Sequence, residues 1–170
     1  VFGVCGGGAM HLVDSFGRNK DLNYVCNLHE QACAIAAEAY GQYTGNLGVA
    51  LVTTGPGGTN AITGVAGAWL DSTPMLIISG QVKRPDLAGN TGVRQMGFQE
   101  IDIVGIVRPV TKYAVTVMEP DSIRYHLEKA VHLARHGRPG PVWVDIPLDV
   151  QAAEIDEHAL RAFDGANAPQ

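Results

Sequence analysis

The chain has 170 residues, of which 46% are hydrophobic and 17% are charged, a composition that excludes a disordered protein and fits one domain of ordinary size. Its net charge of -5 offers no positive surface for nucleic acid or an anionic membrane. The apolar runs are too short for a membrane-spanning helix, which needs about 20 residues, so we expect neither nucleic acid nor a membrane as a partner.

Six short apolar runs bounded by turn residues predict β-strands. They cover residues 1–5, 23–26, 48–53, 74–79, 110–117 and 141–146. Segments with helical character lie between them, at residues 9–18, 28–43, 59–70, 101–107 and 121–136. Because strand and helix alternate, the sequence predicts an α/β fold with a mainly parallel sheet and helices on both faces.

Two segments break this alternation. Residues 83–97 form a long, polar, glycine-rich stretch after a buried strand, and such loops are typically functional or mobile. Beyond Asp149 the chain becomes acidic and ends in DGANAPQ, so residues 152–170 are predicted to be a linker. The chain opens at Val1 in a strand already under way, and we therefore expect upstream residues and a longer parent protein.

The three cysteines, Cys5, Cys26 and Cys33, lie in or beside apolar stretches without paired spacing. We therefore predict buried thiols in a reducing compartment, and hence a cytoplasmic protein. His29 lies near two of them, but a four-ligand zinc site needs a second ligand pair that the sequence lacks. No metal site is predicted.

Glycine-rich turns follow the first, third and fourth predicted strands, at residues 5–11, 53–61 and 79–85. In an open parallel sheet, ligands bind at the carboxyl ends of the strands. The second turn does not match the dinucleotide fingerprint, but its glycines allow close approach of a ligand, and Pro56 stiffens it. For a single loop of this kind, ordinary strand-to-helix turn chemistry is the favoured interpretation.

Glu30 has two interpretations. Asn27 and Glu30 have the spacing of a capping box, which requires no function. However, residues 32–39 form a helix of small apolar residues that has hardly any polar face, so it should be buried in a core or a subunit interface. Glu30 would then lie at the mouth of an apolar site, where desolvation disfavours the charged carboxylate and favours proton exchange. Spacing alone supports both interpretations equally.

A specific resemblance comes from six sequence blocks in order: CGGGAMH, HEQACAIAAEAYGQYTG, ALVTTGPGGTNAITGVAGAWLDSTPMLIISGQV, FQEIDIV, PVTKY and GRPGPVWVDIPLDVQ. Over residues 1–151 the chain resembles the N-terminal, pyrimidine-binding domain of thiamine-diphosphate enzymes of the acetolactate synthase group. The resemblance implies a flavodoxin-like, six-stranded parallel domain, the first of three. The family's other two domains, which help hold FAD and bind the diphosphate through Mg²⁺, have no counterpart in these residues. The resemblance further implies that the parent protein is a homo-oligomer, a dimer or a tetramer, and that this chain is inactive alone.

The same resemblance implies roles for single residues. Glu30 matches the glutamate that hydrogen-bonds the aminopyrimidine ring, which allows the ring to remove the thiazolium proton; the resulting ylide attacks a 2-keto acid, and carbon dioxide leaves. The other matched positions are Gly6, Gly7, Pro56, Gly57 and Asn60 along the cofactor, Arg138 at FAD, and Gln81, Phe98, Gln99 and Lys112 near the substrate channel.

The chain departs from this family in one segment. Residues 83–97 form a longer link than acetolactate synthases have, so the substrate pair stays open. Two other functions also remain: a non-catalytic binding or scaffolding module of the same fold, and one chain of a two-chain 2-keto acid decarboxylase.

Overall fold

Six strands form one sheet in the order β2-β1-β3-β4-β6-β5. The protein is represented by a computed structural model that describes residues 1–165. The strands are β1 (Phe2–Gly3), β2 (Val25–Cys26), β3 (Gly48–Val52), β4 (Met75–Gln81), β5 (Tyr113–Thr116) and β6 (Pro141–Pro147). All strand pairs within the described residues are parallel. The predicted parallel α/β fold is confirmed, and its first four strands follow the 2-1-3-4 order of flavodoxin-like sheets.

The five predicted helices are also present. They are α1 (Met10–Arg18), α2 (Glu30–Thr44), α3 (Pro56–Leu70), α4 (Ile103–Val107) and α5 (Ile123–Arg135), and a short α6 (Leu148–Gln151) follows β6. The sequence did not predict α6, because four residues are too few to show a helical period. No helix within residues 1–165 is both long and apolar enough to cross a membrane.

Both faces of the sheet are covered, as the continuous apolar strands predicted. Along β3, Ala50 and Val52 point into a core formed with α2, α3 and α4, whereas Leu51 points into a second core formed with α1 and α5. Successive side chains of a strand point to opposite faces, so a strand buried on both faces must be apolar throughout.

Small residues bring α2, α3 and the sheet close together. A Cβ atom added at Gly64 of α3 would lie 2.7 Å from the Cβ atom of Ala34 of α2, and one at Gly48 would lie 1.8 Å from the carbonyl oxygen of Ala37. Neither position has room for a side chain. This close crossing sets the amino-terminal ends of α2 and α3 beside each other.

The outer face of α2 corrects the expectation that this helix is apolar and buried on all sides. Cys33, Ala34 and Ala37 are buried, but Ile35 is half-exposed and Tyr43 is 93% exposed. The alanine-rich sequence therefore covers one buried face and leaves a second apolar face open in this chain.

The prediction of three buried thiols is wrong for two of them. Cys33 is buried, whereas Cys5 and Cys26 are exposed. Cys26 ends β2, which lies at the edge of the sheet, and Cys5 follows the end of β1. An apolar neighbourhood in the sequence does not bury a residue where the sheet itself ends.

The predicted linker, residues 152–170, is described up to residue 165, and residues 166–170 lie outside the described part. The backbone N–H of Phe163 donates to Oε2 of Glu128 at 2.7 Å, and the guanidinium group of Arg161 lies 4.8 Å from the centre of the Tyr125 ring. This part of the segment therefore packs on α5, and its role as a linker stays a prediction.

Candidate active site

A crevice opens at the carboxyl ends of β1 and β3. These strands are neighbours, but β1 leads to α1 on one face of the sheet and β3 leads to α3 on the other. Doubly wound sheets bind ligands at such points. The crevice holds a cleft of about 360 Å³, which we call the β1/β3 cleft. It is lined by Gly6, Gly7, Gly8, Thr53, Thr54, Gln81, Val82, Lys83, Asp86, Phe98, Gln99 and Leu148.

The glycines after β1 form one wall of this cleft. The backbone N–H of Gly8 donates to Oγ1 of Thr53 at 3.1 Å. A Cβ atom at Gly6 would lie 2.5 Å from the Cβ atom of Thr53, so this position requires glycine. A Cβ atom at Gly7 would meet nothing within 4 Å, which leaves room for another group beside its backbone.

The turn after β3 forms the opposite wall. Gly55 has a φ of +63°, a conformation that favours glycine, and Pro56 begins α3 at a position where its missing N–H is not needed. A Cβ atom at Gly55 would lie 1.9 Å from the carbonyl oxygen of Gln99. The start of α3 is therefore packed directly against the FQE segment.

Glu30 is the first residue of α2, and the predicted capping box is wrong. His29 is the N-cap residue, and its Nδ1 accepts a hydrogen bond from the backbone N–H of Gln31 at 3.1 Å. Because the helix begins at Glu30 rather than after Asn27, the Glu30 carboxylate is not needed to cap the backbone.

The Glu30 carboxylate instead faces the start of α3. Nδ2 of Asn60 donates to Oε2 of Glu30 at 3.0 Å, and a Cβ atom at Gly57 would lie 3.5 Å from Oε1. Among the described residues, nothing donates a hydrogen bond to Oε1. The carboxyl group is partly exposed. One oxygen is thus held by an amide, and the other is free to exchange a proton with a bound molecule.

Gln81, which was predicted near the substrate channel, lies in the wall between the β1/β3 cleft and the rest of the sheet. It is 2% exposed. Its Nε2 donates to the carbonyl oxygen of Ile101 and to Oδ2 of Asp145, both at 3.1 Å, and its Oε1 accepts from the N–H of Val82 at 2.9 Å. All parts of the amide are engaged, so Gln81 supports the cleft rather than offering it a free polar group.

Phe98 and Gln99 lie at the rim of the same cleft, and their place near a substrate channel stays a prediction. Phe98 is 83% exposed, and Gln99 has a φ of +59°, which is rare for a residue with a side chain. Both are presented to the cleft from the long loop that follows β4.

Lys112 lies far from Gln81, Phe98 and Gln99. The prediction that placed all four residues near one substrate channel is therefore wrong for Lys112. Lys112 precedes β5 and Arg138 precedes β6, so both lie near the amino ends of the parallel strands. Glu30 follows β2 and therefore lies at the opposite, carboxyl ends. Nζ of Lys112 donates to the carbonyl oxygen of His136 at 2.6 Å, and Nε of Arg138 donates to Oγ of Ser72 at 2.7 Å. Burial lowers the pKa of Lys112.

Lys112 and Arg138 instead border a separate cleft of about 440 Å³ at this opposite edge. The other lining residues are Trp69, Leu70 and Pro139. The cleft combines two basic side chains with an indole ring, which suits a planar, anionic group.

A buried polar network beside Gln81 was missed by the sequence analysis. Asp145 of β6 is 1% exposed, and its carboxyl group accepts hydrogen bonds from Oγ of Ser79, Nε2 of Gln81 and Oγ1 of Thr116. Nε1 of Trp143 donates to Oγ of the same serine at 2.8 Å. Burial raises the pKa of Asp145 to about 7, although the three hydrogen bonds oppose the shift. A single acid within the apolar run VWVDIP was the available signal.

Metal binding is not indicated by side-chain geometry in residues 1–165, where no three His, Cys, Asp or Glu residues come together as possible ligands.

A doubly wound parallel domain with a carboxylate at its crevice defines a class of ligand-binding α/β domains, and comparison with known proteins narrows this class. Residues 1–106 match the family model for the thiamine pyrophosphate enzyme, N-terminal TPP binding domain. The chain belongs to this family.

Curated relatives are acetolactate synthases. The chain is 41% identical over 157 residues to the acetolactate synthase large subunit of Lactococcus lactis subsp. lactis (strain IL1403), covering 92% of the chain and 26% of the relative. It is 46% identical over 156 residues to that of Corynebacterium glutamicum, covering 92% and 24%. It is 43% identical over 150 residues to the isozyme 3 large subunit of Escherichia coli (strain K12), covering 88% and 25%. The chain thus spans about a quarter of the length of these relatives.

Proposed function

We propose that this chain is the pyrimidine-binding part of a thiamine-diphosphate-dependent enzyme that decarboxylates a 2-keto acid and transfers the remaining fragment to a second carbonyl compound. The observation that carries the proposal is the Glu30 carboxylate, fixed by Asn60 at the ligand-binding edge of a domain of this family. The family membership supports the cofactor, and the identity to acetolactate synthases supports the 2-keto acid.

The residues around Glu30, next to the β1/β3 cleft, fit an aminopyrimidine ring. Such a ring is flat and has a nitrogen that pairs with a carboxyl group. Glu30 supplies that carboxyl group, and Oε1 accepts no hydrogen bond among the described residues. The backbone of Gly57 lies beside Oε1, since a Cβ atom there would lie 3.5 Å from it and 2.7 Å from Cγ2 of Thr53, which lines the β1/β3 cleft. Gly7 lines the β1/β3 cleft and has open space beside its backbone, and Pro56 begins α3 one residue before Gly57. A flat ring therefore meets one polar partner and backbone surfaces on either side.

When bound, thiamine diphosphate supplies the carbon nucleophile and holds the electrons left by decarboxylation. The work of this chain is to hold and move one proton at Oε1 of Glu30. Asn60 fixes the orientation of the carboxyl group through Oε2, so that the rotational freedom of the side chain is already lost before the ligand binds. The glycine walls exclude water by letting the backbone approach the ligand closely.

Replacing Glu30 in the complete enzyme tests this role. The substitution Glu30→Gln keeps the shape and the partner amide but removes the exchangeable proton. We expect kcat to fall by about 100-fold or more, the usual contribution of a positioned acid or base, with an unchanged melting temperature. Glu38→Gln, on the same helix two turns further along, is the matched control and should leave kcat within about twofold. Turnover that survives Glu30→Gln would refute the proton-carrier role.

We further propose that the parent protein is a homo-oligomer, dimer or tetramer, in which the outer face of α2 and the end of α3 are covered by a second copy or by another domain. The exposed apolar residues Leu28, Tyr43 and Leu70 support this. Mg²⁺ and the cofactor diphosphate would be bound by parts of the parent that this chain does not contain. The three free cysteines support a cytoplasmic location.

FAD is a second cofactor that we propose for the parent, at the cleft lined by Lys112, Arg138 and Trp69. Two basic groups beside an indole ring fit its flat rings and phosphates. Since this cleft and Glu30 lie at opposite edges of the sheet, Arg138→Ala should weaken FAD binding, measured by flavin fluorescence, and leave thiamine diphosphate affinity within about twofold. Equal loss of both cofactors would contradict the proposal.

The exposed apolar face also favours a second candidate, a non-catalytic scaffolding module. Such a module would bind its partner equally well with Glu30→Gln and would show no thiamine diphosphate binding in any assembly. Calorimetric titration of the cofactor into the complete protein separates the two functions.

A further inference from the structure

The loop at residues 83–97 is closed by one carboxylate. The backbone N–H of Ala88 donates to Oε1 of Glu100 at 2.8 Å, and the backbone N–H of Met96 donates to Oε2 of the same residue at 3.0 Å. Ala88 and Met96 are the two ends of a nine-residue excursion in the chain. Because each oxygen holds one end, the carboxylate acts as a clasp across the loop.

Backbone contacts agree with a closed loop. The N–H of Gly97 donates to the carbonyl oxygen of Asp86 at 2.8 Å, and both the N–H and the hydroxyl group of Thr91 donate to the carbonyl oxygen of Ala88. Near the start of the loop, Nε of Arg84 donates to Oδ2 of Asp149 in α6 at 2.7 Å. The base of the loop is thus fixed to the domain, and within the described residues 1–165 the two hydrogen bonds of Glu100 join its two arms through side-chain atoms.

Glu100 directly follows Phe98 and Gln99, two residues that reach the β1/β3 cleft. Gln99, the neighbour of Glu100, is held with a φ of +59°, and its carbonyl oxygen packs on Gly55. A left-handed backbone at a residue with a side chain persists only where its surroundings enforce it. Phe98, next to it, is 83% exposed and has little packing of its own to fix its position.

We propose that Glu100 is a positioning residue, whose carboxylate closes the loop at residues 83–97 and thereby holds Phe98 and Gln99 at the rim of the cleft where the 2-keto acid enters. The proposal rests on the proposed function only for the identity of the substrate. Glu30 and Asn60 lie on α2 and α3 and are not held by the loop, so Glu100 acts on the substrate side of the site rather than on the cofactor side.

Amide hydrogen exchange and proteolysis of the 170-residue chain test the clasp without any activity. In Glu100→Ala, the amides of Ala88 and Met96 should exchange about tenfold faster or more, because both lose a hydrogen bond to a charged acceptor. Trypsin should cleave after the exposed Arg94 faster by a similar factor. Glu119→Ala, at an exposed glutamate outside this loop, is the matched control and should change neither rate.

Steady-state kinetics of the complete enzyme test the positioning. We expect Glu100→Ala to raise KM for the 2-keto acid about tenfold while kcat and the dissociation constant of thiamine diphosphate stay within about threefold. Glu100→Gln keeps one acceptor oxygen and should give an intermediate KM. A purely structural role would instead lower the melting temperature and change all three constants together.

Three results would overturn the proposal. These are unchanged exchange at Ala88 and Met96 in Glu100→Ala, faster exchange throughout the strands rather than in the loop, and an open loop with an unchanged KM. If the unaltered complete protein shows neither cofactor binding nor turnover, the proposed function fails, but the exchange result still decides whether Glu100 closes the loop.

Discussion

Stability should fall as the pH rises through neutrality, because of one buried carboxyl group. Burial raises the pKa of Asp145 from its ordinary value of 3.8 to about 7. Between these values the folded protein keeps a proton that the unfolded chain has lost, so the free energy of unfolding decreases with increasing pH. A shift of this size corresponds to about 4 kcal/mol in total, and about 3 kcal/mol of it is lost between pH 5 and pH 8.

Asp145→Asn isolates this effect, because the side-chain amide has nearly the same shape and does not titrate. Its oxygen can accept from Gln81 and Thr116 while its NH₂ group faces the hydroxyl of Ser79, at a cost of about 1–3 kcal/mol for a displaced hydrogen bond. This cost does not depend on pH. The variant should therefore be less stable than the original at pH 5 and should approach or exceed it at pH 8.

Urea unfolding, followed by the fluorescence of Trp69 and the buried Trp143 at pH 5, 6, 7 and 8, measures both proteins. The quantity of interest is the difference in unfolding free energy between variant and original at each pH, because other titrating groups cancel in it. His126 is one such group, since burial and Lys129 lower its pKa, so its own contribution to stability grows as the pH rises. A difference that stays constant from pH 5 to pH 8 would refute the assignment of a protonated Asp145.

Three further predictions follow from packing, an ion pair and an exposed apolar surface. Gly64→Ala should lower the unfolding free energy by about 2 kcal/mol, because the added methyl group meets Ala34, and an unchanged denaturant midpoint would contradict the close crossing of α2 and α3. Asp149→Asn should reduce stability at neutral pH but not at pH 2. Although burial raises the pKa of Asp149, the hydrogen bonds and charge of Arg84 outweigh it and lower the pKa, so this stabilisation is present at high pH and lost in acid. Equal destabilisation at both pH values would argue against the ion pair. Tyr43→Ser should weaken self-association of the complete protein, measured by sedimentation, without changing the melting temperature. An unchanged dissociation constant would exclude that face from the interface.

The fold could be predicted because its signals are local. Each buried strand is a continuous apolar run, and glycine-rich turns separate strand from helix at each change. The lengths of β1 and β2 were overestimated, since each has only two residues in the sheet. An edge strand and its neighbour form hydrogen bonds only over the length of the shorter strand. The apolar run of either strand does not show where this pairing stops.

The candidate site could be predicted only in part. Glu30 was singled out, but its local sequence fitted a capping box equally well, and the amide that holds its carboxylate, Asn60, lies 30 residues away. Lys112 was assigned to the carboxyl ends of the strands. Because it lies near the start of a predicted strand of a parallel sheet, the sequence already indicated the amino ends. The clasp at Glu100 had no sequence signal, because its two partners are backbone N–H groups.

The sequence by itself determined the alternation of elements, the burial of the sheet on both faces and the family, because hydrophobic period and ordered motifs are properties of the chain. The tertiary structure decided which groups surround the Glu30 carboxylate. Only the close crossing of α2 and α3, which Gly64 permits, brings the Asn60 amide to the carboxylate and sets Gly57 beside Oε1. A side chain's partner depends on distances between elements, and those distances are set by packing rather than by spacing along the chain.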